Sequence, residues 1–364
     1  MSRITVLGGG HGCYAAAVEL SENGHEVCLW RRDALALQPV IDSKSITVRD
    51  YRGTRDVPIA ALTSSLDTAI AFADLIVIPL PSTTHTVLAD QLAPLLRDGQ
   101  VVYLPPGTFG GMLIAQAMRH AGNRADVSFA ETGTLPYLAR KHGPREVVIS
   151  AYAKRLPTGI FPLRNQAHAT SVIADAYPAF EPCGDLLSGA LMNAGPIIHP
   201  PLIIMNAGPL EHFEAWDIHN EGTQPSIRAV TNALDAERIA VRESLGYGAP
   251  HFPLADHYAT DGDEWMYGRG AHDKLTDSGD WREHIELTSH RYMFEDTRLG
   301  LSFIRSVGQW AGVDTPLSNA FLAIGGAING QDFYAQGRTL ESMSLSHLSR
   351  EEMGSLMQMG LPDD

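Results

Sequence analysis

The stretch that decides the fold is Ile4–Leu20, "ITVLGGGHGCYAAAVEL". A β-branched run, Ile4 to Leu7, ends in a glycine cluster, and an alanine-rich apolar segment follows. Strand, glycine turn and helix, in that order, open a dinucleotide-binding βαβ unit. Gly8 makes the tight turn and Gly10 lets the backbone approach a pyrophosphate. His11 and Gly12 begin the helix whose free N–H groups and dipole favour the negative charge. The sixth position of Gly-x-Gly-x-x-Gly holds Cys13 in place of glycine or alanine, with Gly12 before it, so helix and strand are expected to pack slightly differently. A glycine triplet alone also suits a purely structural turn. The second strand, ending "CLWRR", gives the motif its specificity.

The end of that second strand selects the dinucleotide. Sites for NAD usually place an acidic residue there, bonded to the ribose hydroxyls. Here Arg31 stands 23 residues after Gly8, with Arg32 beside it. A guanidinium pairs with a 2′-phosphate that a carboxylate would repel. NADP is therefore favoured, with NAD as the alternative. The competing interpretation is a solvated basic turn in which Asp33 caps the next helix.

Similar runs recur along the first half: "HEVCLW", "DLIVIPL", "QVVYL", "VSFAE" and "EVVISAY". Helix-length segments separate several of them, and Gly24, Gly99 and Gly122 stand where those helices should stop. Buried strands joined by crossover helices imply a largely parallel sheet covered on both faces. After about Ala179 the strand pattern fades. Ile227, Val230, Leu234, Val241 and Leu245 follow helical spacing, as do Leu301, Ile304 and Val307, and "SREE" at Ser349–Glu352 has the form of a capping box. The expected fold class is α/β, with a Rossmann-type domain over residues 1–185 and an all-helical domain over 186–364. At 364 residues the chain exceeds a comfortable single core, which agrees with two domains.

Composition narrows the function. A formal charge of −15 argues against nucleic-acid or anionic-membrane binding by the whole surface. Cys13, Cys28 and Cys183 show no paired spacing, which suits a reducing compartment. The first strand starts within three residues of Met1, and no apolar run is expected to reach the roughly 18 residues a membrane helix needs. A cytoplasmic protein is expected. The polar segment His251–His290 carries His251, His257, Asp261, Asp263, His272 and Asp273, but their spacing matches no common metal-ligand pattern. It reads as a solvated loop, and no metal is expected.

The chemistry-bearing candidates lie in the second half. In Asn193–Gly208, "NAGPIIHPPLIIMNAG", His199 stands among apolar residues ahead of Pro200 and Pro201, which suit the first turn of a helix. Burial and a helix N-terminus both favour a neutral imidazole, so a general acid at this position needs a carboxylate partner. Asp296 is a candidate partner, and Arg291 precedes it by five residues. Local alternatives exist: Arg291 could pair with Glu295 on a wet helix face, Asp296 could cap a helix, and His199 could be a core histidine.

Together these segments resemble the opine dehydrogenase family of the octopine and nopaline type. The resemblance rests on the glycine-rich turn, "ETGTLPY" at Glu131–Tyr137, the Asn193–Gly208 segment, "HRYMFED" at His290–Asp296, "GLSFI", "AGVDTP" and "GRTLESMSL". It implies an N-terminal dinucleotide domain joined to a helical one, with substrates in the cleft they form. The implied reaction condenses an α-keto acid with an amino acid or amine and reduces the imine with NAD(P)H. Carried over by residue, it gives His199 the acid/base role and Asp296 the orienting role. Arg291 would hold a substrate carboxylate, Glu131 and Thr132 would contact substrate, and Asn193 would support them. Cys13 and "PPGTFGG" at Pro105–Gly111 depart from the family pattern.

Two other readings stay open. An alcohol or 2-hydroxy-acid dehydrogenase could use the same dyad, since C–OH and C–N oxidation share the hydride step. A nucleotide-binding protein without turnover could keep the fold. Lysine-based schemes are weakened because the chain has only Lys44, Lys141, Lys154 and Lys274. A homodimer is allowed for, although no surface for it can be named.

Overall fold

The β-branched runs of the first half enter an eight-stranded sheet in the computed structural model, which describes residues 1–362. From one edge the strands run Ala61–Thr63, Glu26–Trp30, Arg3–Leu7, Leu75–Val77, Val101–Leu104 and Ser128–Thr132. These six are parallel and follow the doubly wound order 3-2-1-4-5-6. Leu156–Phe161 then pairs antiparallel with Ser128–Thr132, and Phe180–Asp185 closes the edge. The chain order reverses beside Arg3–Leu7, so the glycine turn emerges at the topological switch point, where such sheets bind nucleotides.

"EVVISAY" does not join this sheet. Its strand, Glu146–Tyr152, lies in a separate four-stranded sheet ordered Gly53–Pro58, Ser45–Asp50, Glu146–Tyr152, Tyr137–His142. The burial pattern explains the difference. Val101–Leu104 is buried at every position, whereas Val147, Ile149 and Ala151 alternate with partly exposed neighbours. A strand with one dry face belongs to a sheet covered on one side only. That sheet packs on the helix His11–Glu22, which is why Tyr14 to Val18 are all buried.

Two compact units result. The first holds Met1–Leu80, Thr84–Ala190 and the chain from Gly354 onward; the second holds Pro81–Thr83 and Leu191–Met353. The segment "EPCGD" forms part of the edge strand Phe180–Asp185, where its proline and Gly184 are tolerated. The short helix Leu186–Ala190 still belongs to the first unit.

The second unit is built on Gly195–Ile204, Pro225–Ser244, Ser302–Ala311 and Pro316–Asn329. Ile227, Leu234 and Val241 are buried along Pro225–Ser244, as their spacing requires. One short antiparallel pair, Trp216–Asp217 with Arg282–Glu283, departs from an all-helical domain. At Ser349–Glu352 the capping box forms in full: Ser349 N donates to Glu352 (2.7 Å) and Glu352 N to Ser349 Oγ (3.2 Å).

Two expectations need correction. The segment Leu186–Ile204, 19 residues, does meet the length and composition of a membrane-crossing helix. In the structure it is interrupted at residues 191–194 and mostly buried. The His251–His290 segment is not a solvated loop. Trp265, Met266, Leu275, Trp281, Ile285 and Leu287 are buried, and the Trp265 indole donates to Phe252 O at 3.1 Å. Its many polar residues hid a core at irregular spacing, which periodicity does not register. Among the described residues no group of three or more His, Cys, Asp or Glu could hold a metal.

Truncating Trp265 to alanine should therefore destabilise the protein by about 3 kcal/mol or more, as for other buried tryptophans. Chemical denaturation of the variant measures this, and a shift of a few tenths would mean the segment is peripheral.

Candidate active site

In the first unit the glycine turn follows the strand Arg3–Leu7. Gly8 has φ 120°, a conformation that disfavours side chains, and its N–H donates to Trp30 O at 2.8 Å. A Cβ at Gly12 would come within 2.7 Å of Leu135. Gly12 thus carries the close-packing role usually given to the third glycine, while Cys13 is wholly buried beneath the turn. Burial pushes the Cys13 thiol up to about 11, so it is inert. By contrast, a Cβ at Gly10 would meet nothing within 4 Å, so the start of the helix faces open space. A pyrophosphate fits the donors there.

Around the turn the cations gather. Arg31 lies over Gly9, where a Cβ would approach its Cδ to 2.6 Å, and donates to Ala36 O at 2.9 Å. Arg32 is exposed, and Asp33 caps the helix Ala34–Ser43 through Ala36 N (3.0 Å). His11 Nδ1 accepts from Lys141 N at 2.7 Å. The Lys141 ammonium donates to Gly9 O at 3.3 Å and sits 4.1 Å from the Tyr14 ring centre. Lys141 stands some 130 residues from the turn in sequence, and no spacing rule connects the two.

Glu131 and Thr132, expected to contact substrate, are tied by hydrogen bonds to the surrounding backbone. Both are fully buried at the end of the strand Ser128–Thr132. The Glu131 carboxylate accepts from Phe109 N and Gly111 N, each at 2.7 Å, and so caps the helix Gly110–His120. The unusual Pro105–Gly111 segment is the loop it holds, and a side chain at Gly107 would collide with the carboxylate. Thr132 donates to Pro157 O at 2.8 Å.

The second unit brings His199 and Asp296 together. His199 Nδ1 lies 2.7 Å from Asp296 Oδ2. The helix carrying His199 begins at Gly195, so the histidine sits one turn inside it and Pro200 and Pro201 follow in the second turn, later than expected. Asn193 accepts from Gly195 N at 3.0 Å, which ties down the start of this helix.

Close helix approach makes the 2.7 Å contact possible. A side chain at Gly195 would overlap the Asp296 carboxylate, and one at Gly300 would overlap Pro196. Residues Tyr292–Leu301 form a π-helix. Bonding to the fifth residue stacks residues five apart, so Arg291, immediately before it, and Asp296 share a side. In an α-helix they would diverge.

Two rings complete the environment. Tyr292 stacks on the imidazole at 3.7 Å with an interplanar angle of 12°, and the His219 ring lies 6.1 Å away. Sequence reasoning gave neither a role, because an aromatic beside a motif has no spacing signature of its own. Burial raises Asp296 to about 7, with the Arg291 charge opposing the rise. Burial also raises Glu295 to about 7, helped by the neighbouring Asp296. Glu295 accepts from Ser82 N at 2.8 Å. The Arg291–Glu295 pair forms at 3.7 Å, but Arg291 is half-exposed and keeps donors for a second anion.

Known proteins agree with this architecture. Residues 182–329 match the family described as NAD/NADP octopine/nopaline dehydrogenase, alpha-helical domain. Residues 3–112 match NAD-dependent glycerol-3-phosphate dehydrogenase N-terminus. The chain is 27% identical to an opine dehydrogenase from Arthrobacter sp. (strain 1C), covering 97% of this chain and 98% of that protein. It shares the fold of an octopine dehydrogenase solved with NADH and agmatine (TM-score 0.72, 17% identity, 100% and 99% covered). A yersinopine dehydrogenase with NADP+ bound also superposes (TM-score 0.64, 14% identity, 98% of each chain covered).

Placing a valine at Gly195 should force the two helices apart and cost the Asp296 contact. The expected outcome is a folded protein in which the His199 side-chain resonances lose their carboxylate partner; unchanged resonances would mean the helices do not need that glycine.

Proposed function

We propose that the chain works as an opine dehydrogenase of the octopine/nopaline type, a reading supported by the match of residues 182–329 and by the similarity to an opine dehydrogenase over nearly its whole length. It is an NAD(P)-dependent oxidoreductase acting at a C–N bond. An α-keto acid condenses with the amine of an amino acid or related amine, and the imine is reduced reversibly. The observation that carries the residue assignment is the His199–Asp296 contact on the helical unit, with Arg291 beside it.

The dinucleotide fits the first unit. Open space before Gly10 at the helix start suits the pyrophosphate, and Gly8 and Gly12 shape the turn. When bound, the nicotinamide supplies the hydride. Arg31, beside Gly9, is assigned to a 2′-phosphate, which favours NADP over NAD. Arg32 contributes positive potential from the exposed surface.

Proton demand explains the dyad. Condensation of amine and ketone expels one water, and the departing hydroxyl needs a proton. Reduction of a neutral imine then leaves a nitrogen that takes up another. His199 gives the first through Nε2, the ring nitrogen Asp296 does not use, recovers it from the nitrogen as the neutral imine forms, and gives it again once the hydride has arrived. Asp296 fixes the tautomer and offsets the charge of the protonated ring, the orienting part of a catalytic triad without its nucleophile. In the oxidative direction His199 accepts the proton instead. Arg291 holds a substrate carboxylate by its guanidinium fork.

The pH dependence follows in sign. The pair must hold its proton to act as an acid, and burial lifts Asp296 to about 7. Reductive turnover should fall as pH rises past that region, while oxidation should fall as pH drops through it. Asp296→Asn should remove this opposition and lower kcat by roughly 10²–10⁴. His199→Ala should lose similar activity and still bind dinucleotide. Either variant with wild-type turnover in both directions would overturn the dyad assignment.

A screen of keto acids with amines, following NAD(P)H consumption and product mass, tests the reaction itself. Products joining keto acid and amine are expected. NADPH oxidation by keto acid alone, with a 2-hydroxy acid as product, would replace this function with alcohol dehydrogenation. Arg31→Ala should lower kcat/KM for NADPH while sparing NADH, and an unchanged preference would remove Arg31 from the assignment.

A further inference from the structure

We propose that Lys141 joins Arg31 to form a two-cation clamp for the 2′-phosphate of NADP, built from the two sheets of the first unit. This rests on the NADP reading above and names a second residue for it. Arg31 follows the strand Glu26–Trp30 of the large sheet, and Lys141 lies in Tyr137–His142 of the small one. Both converge on Gly9. The Arg31 side chain covers that glycine, and the Lys141 ammonium donates to its carbonyl at 3.3 Å.

The electrostatics suit an anion. In a chain with a formal charge of −15, carboxylates are plentiful, yet the hydrogen bonds of both cations go to backbone carbonyls. Arg31 donates to Ala36 O, and Lys141 to Gly9 O above the Tyr14 ring. Two like charges held together repel, and burial and Arg31 push the Lys141 ammonium down to about 8. A dianion placed against both relieves this repulsion and forms charge-assisted bonds.

The position is also held in place. Lys141 N donates to His11 Nδ1, so the strand is fastened to the first residue of the nucleotide helix. The small sheet therefore does more than cover that helix. It brings a cation to the edge of the turn where Arg31 already lies, while Gly10, with open space ahead of it, is left for the pyrophosphate. The charged and titratable groups facing the ammonium are Arg31, Tyr14 and the buried Cys13, while His11 bonds the Lys141 backbone.

The test measures binding of NADPH, NADH, 2′,5′-ADP and 5′-ADP to the whole protein by calorimetry. In the wild type, ligands with the 2′-phosphate should bind more tightly than those without it. Lys141→Met should weaken NADPH and 2′,5′-ADP on the order of ten- to a hundredfold and leave NADH and 5′-ADP within about twofold. Lys141→Arg should restore most of the difference.

Equal losses for all four ligands would assign Lys141 to the pyrophosphate or to the turn and overturn the proposal, as would no loss. A wild type with no 2′-phosphate preference would instead defeat the NADP reading beneath it. A second measurement needs no variant. Wild-type affinity for NADPH should fall as pH rises past about 8, as the ammonium loses its proton, while NADH affinity holds. Parallel pH curves for the two dinucleotides would also overturn the proposal.

Discussion

A carboxylate removed from water needs a partner, and in this protein the second unit is arranged around that need. Asp296 is almost wholly buried and reaches one imidazole, His199, across 97 residues of chain. An unpaired carboxylate so placed would carry a penalty of several kcal/mol, or else take up a proton. The structure answers through shape. Gly195 leaves room for the carboxylate, Gly300 leaves room for Pro196, and Asn193 fastens the start of the histidine helix. The Tyr292 face then keeps the ring flat against it.

Much of the architecture was legible in the sequence, because its determinants are local. The run Ile4–Leu20 held strand, turn and helix within one short window, and fully apolar runs such as "QVVYL" marked the central strands. The spacing of Ile227, Leu234 and Val241 marked a long helix, and "SREE" formed the cap its pattern describes. The family resemblance then brought His199, Asp296 and Arg291 into one scheme that no spacing rule could join.

What escaped was set by tertiary contact. "EVVISAY" has strand composition, but which sheet it enters depends on what covers its second face. The bonds from Phe109 and Gly111 to Glu131 arise only because Pro105–Gly111 folds back over the carboxylate, which no local pattern announces. Lys141 was weighed only as a catalytic lysine and set aside, since nothing in the chain near residue 141 points to residue 9. His251–His290 looked wet because its apolar residues are outnumbered, and Trp265 is nonetheless among the largest fully buried side chains.

The unusual winding of Tyr292–Leu301 has a further consequence for how such a protein changes over time. Wide turns of this type behave like a helix carrying surplus residues, and the excess is what lines Asp296 up beneath Arg291. A change that let the same number of residues relax to ordinary pitch would set Arg291 and Asp296 well apart around the helix. The helix would survive, but the acid would rotate away from the arginine. Loss of one residue between them would instead restore ordinary pitch with the two still on one side, so this segment tolerates a deletion better than a rewinding at constant length.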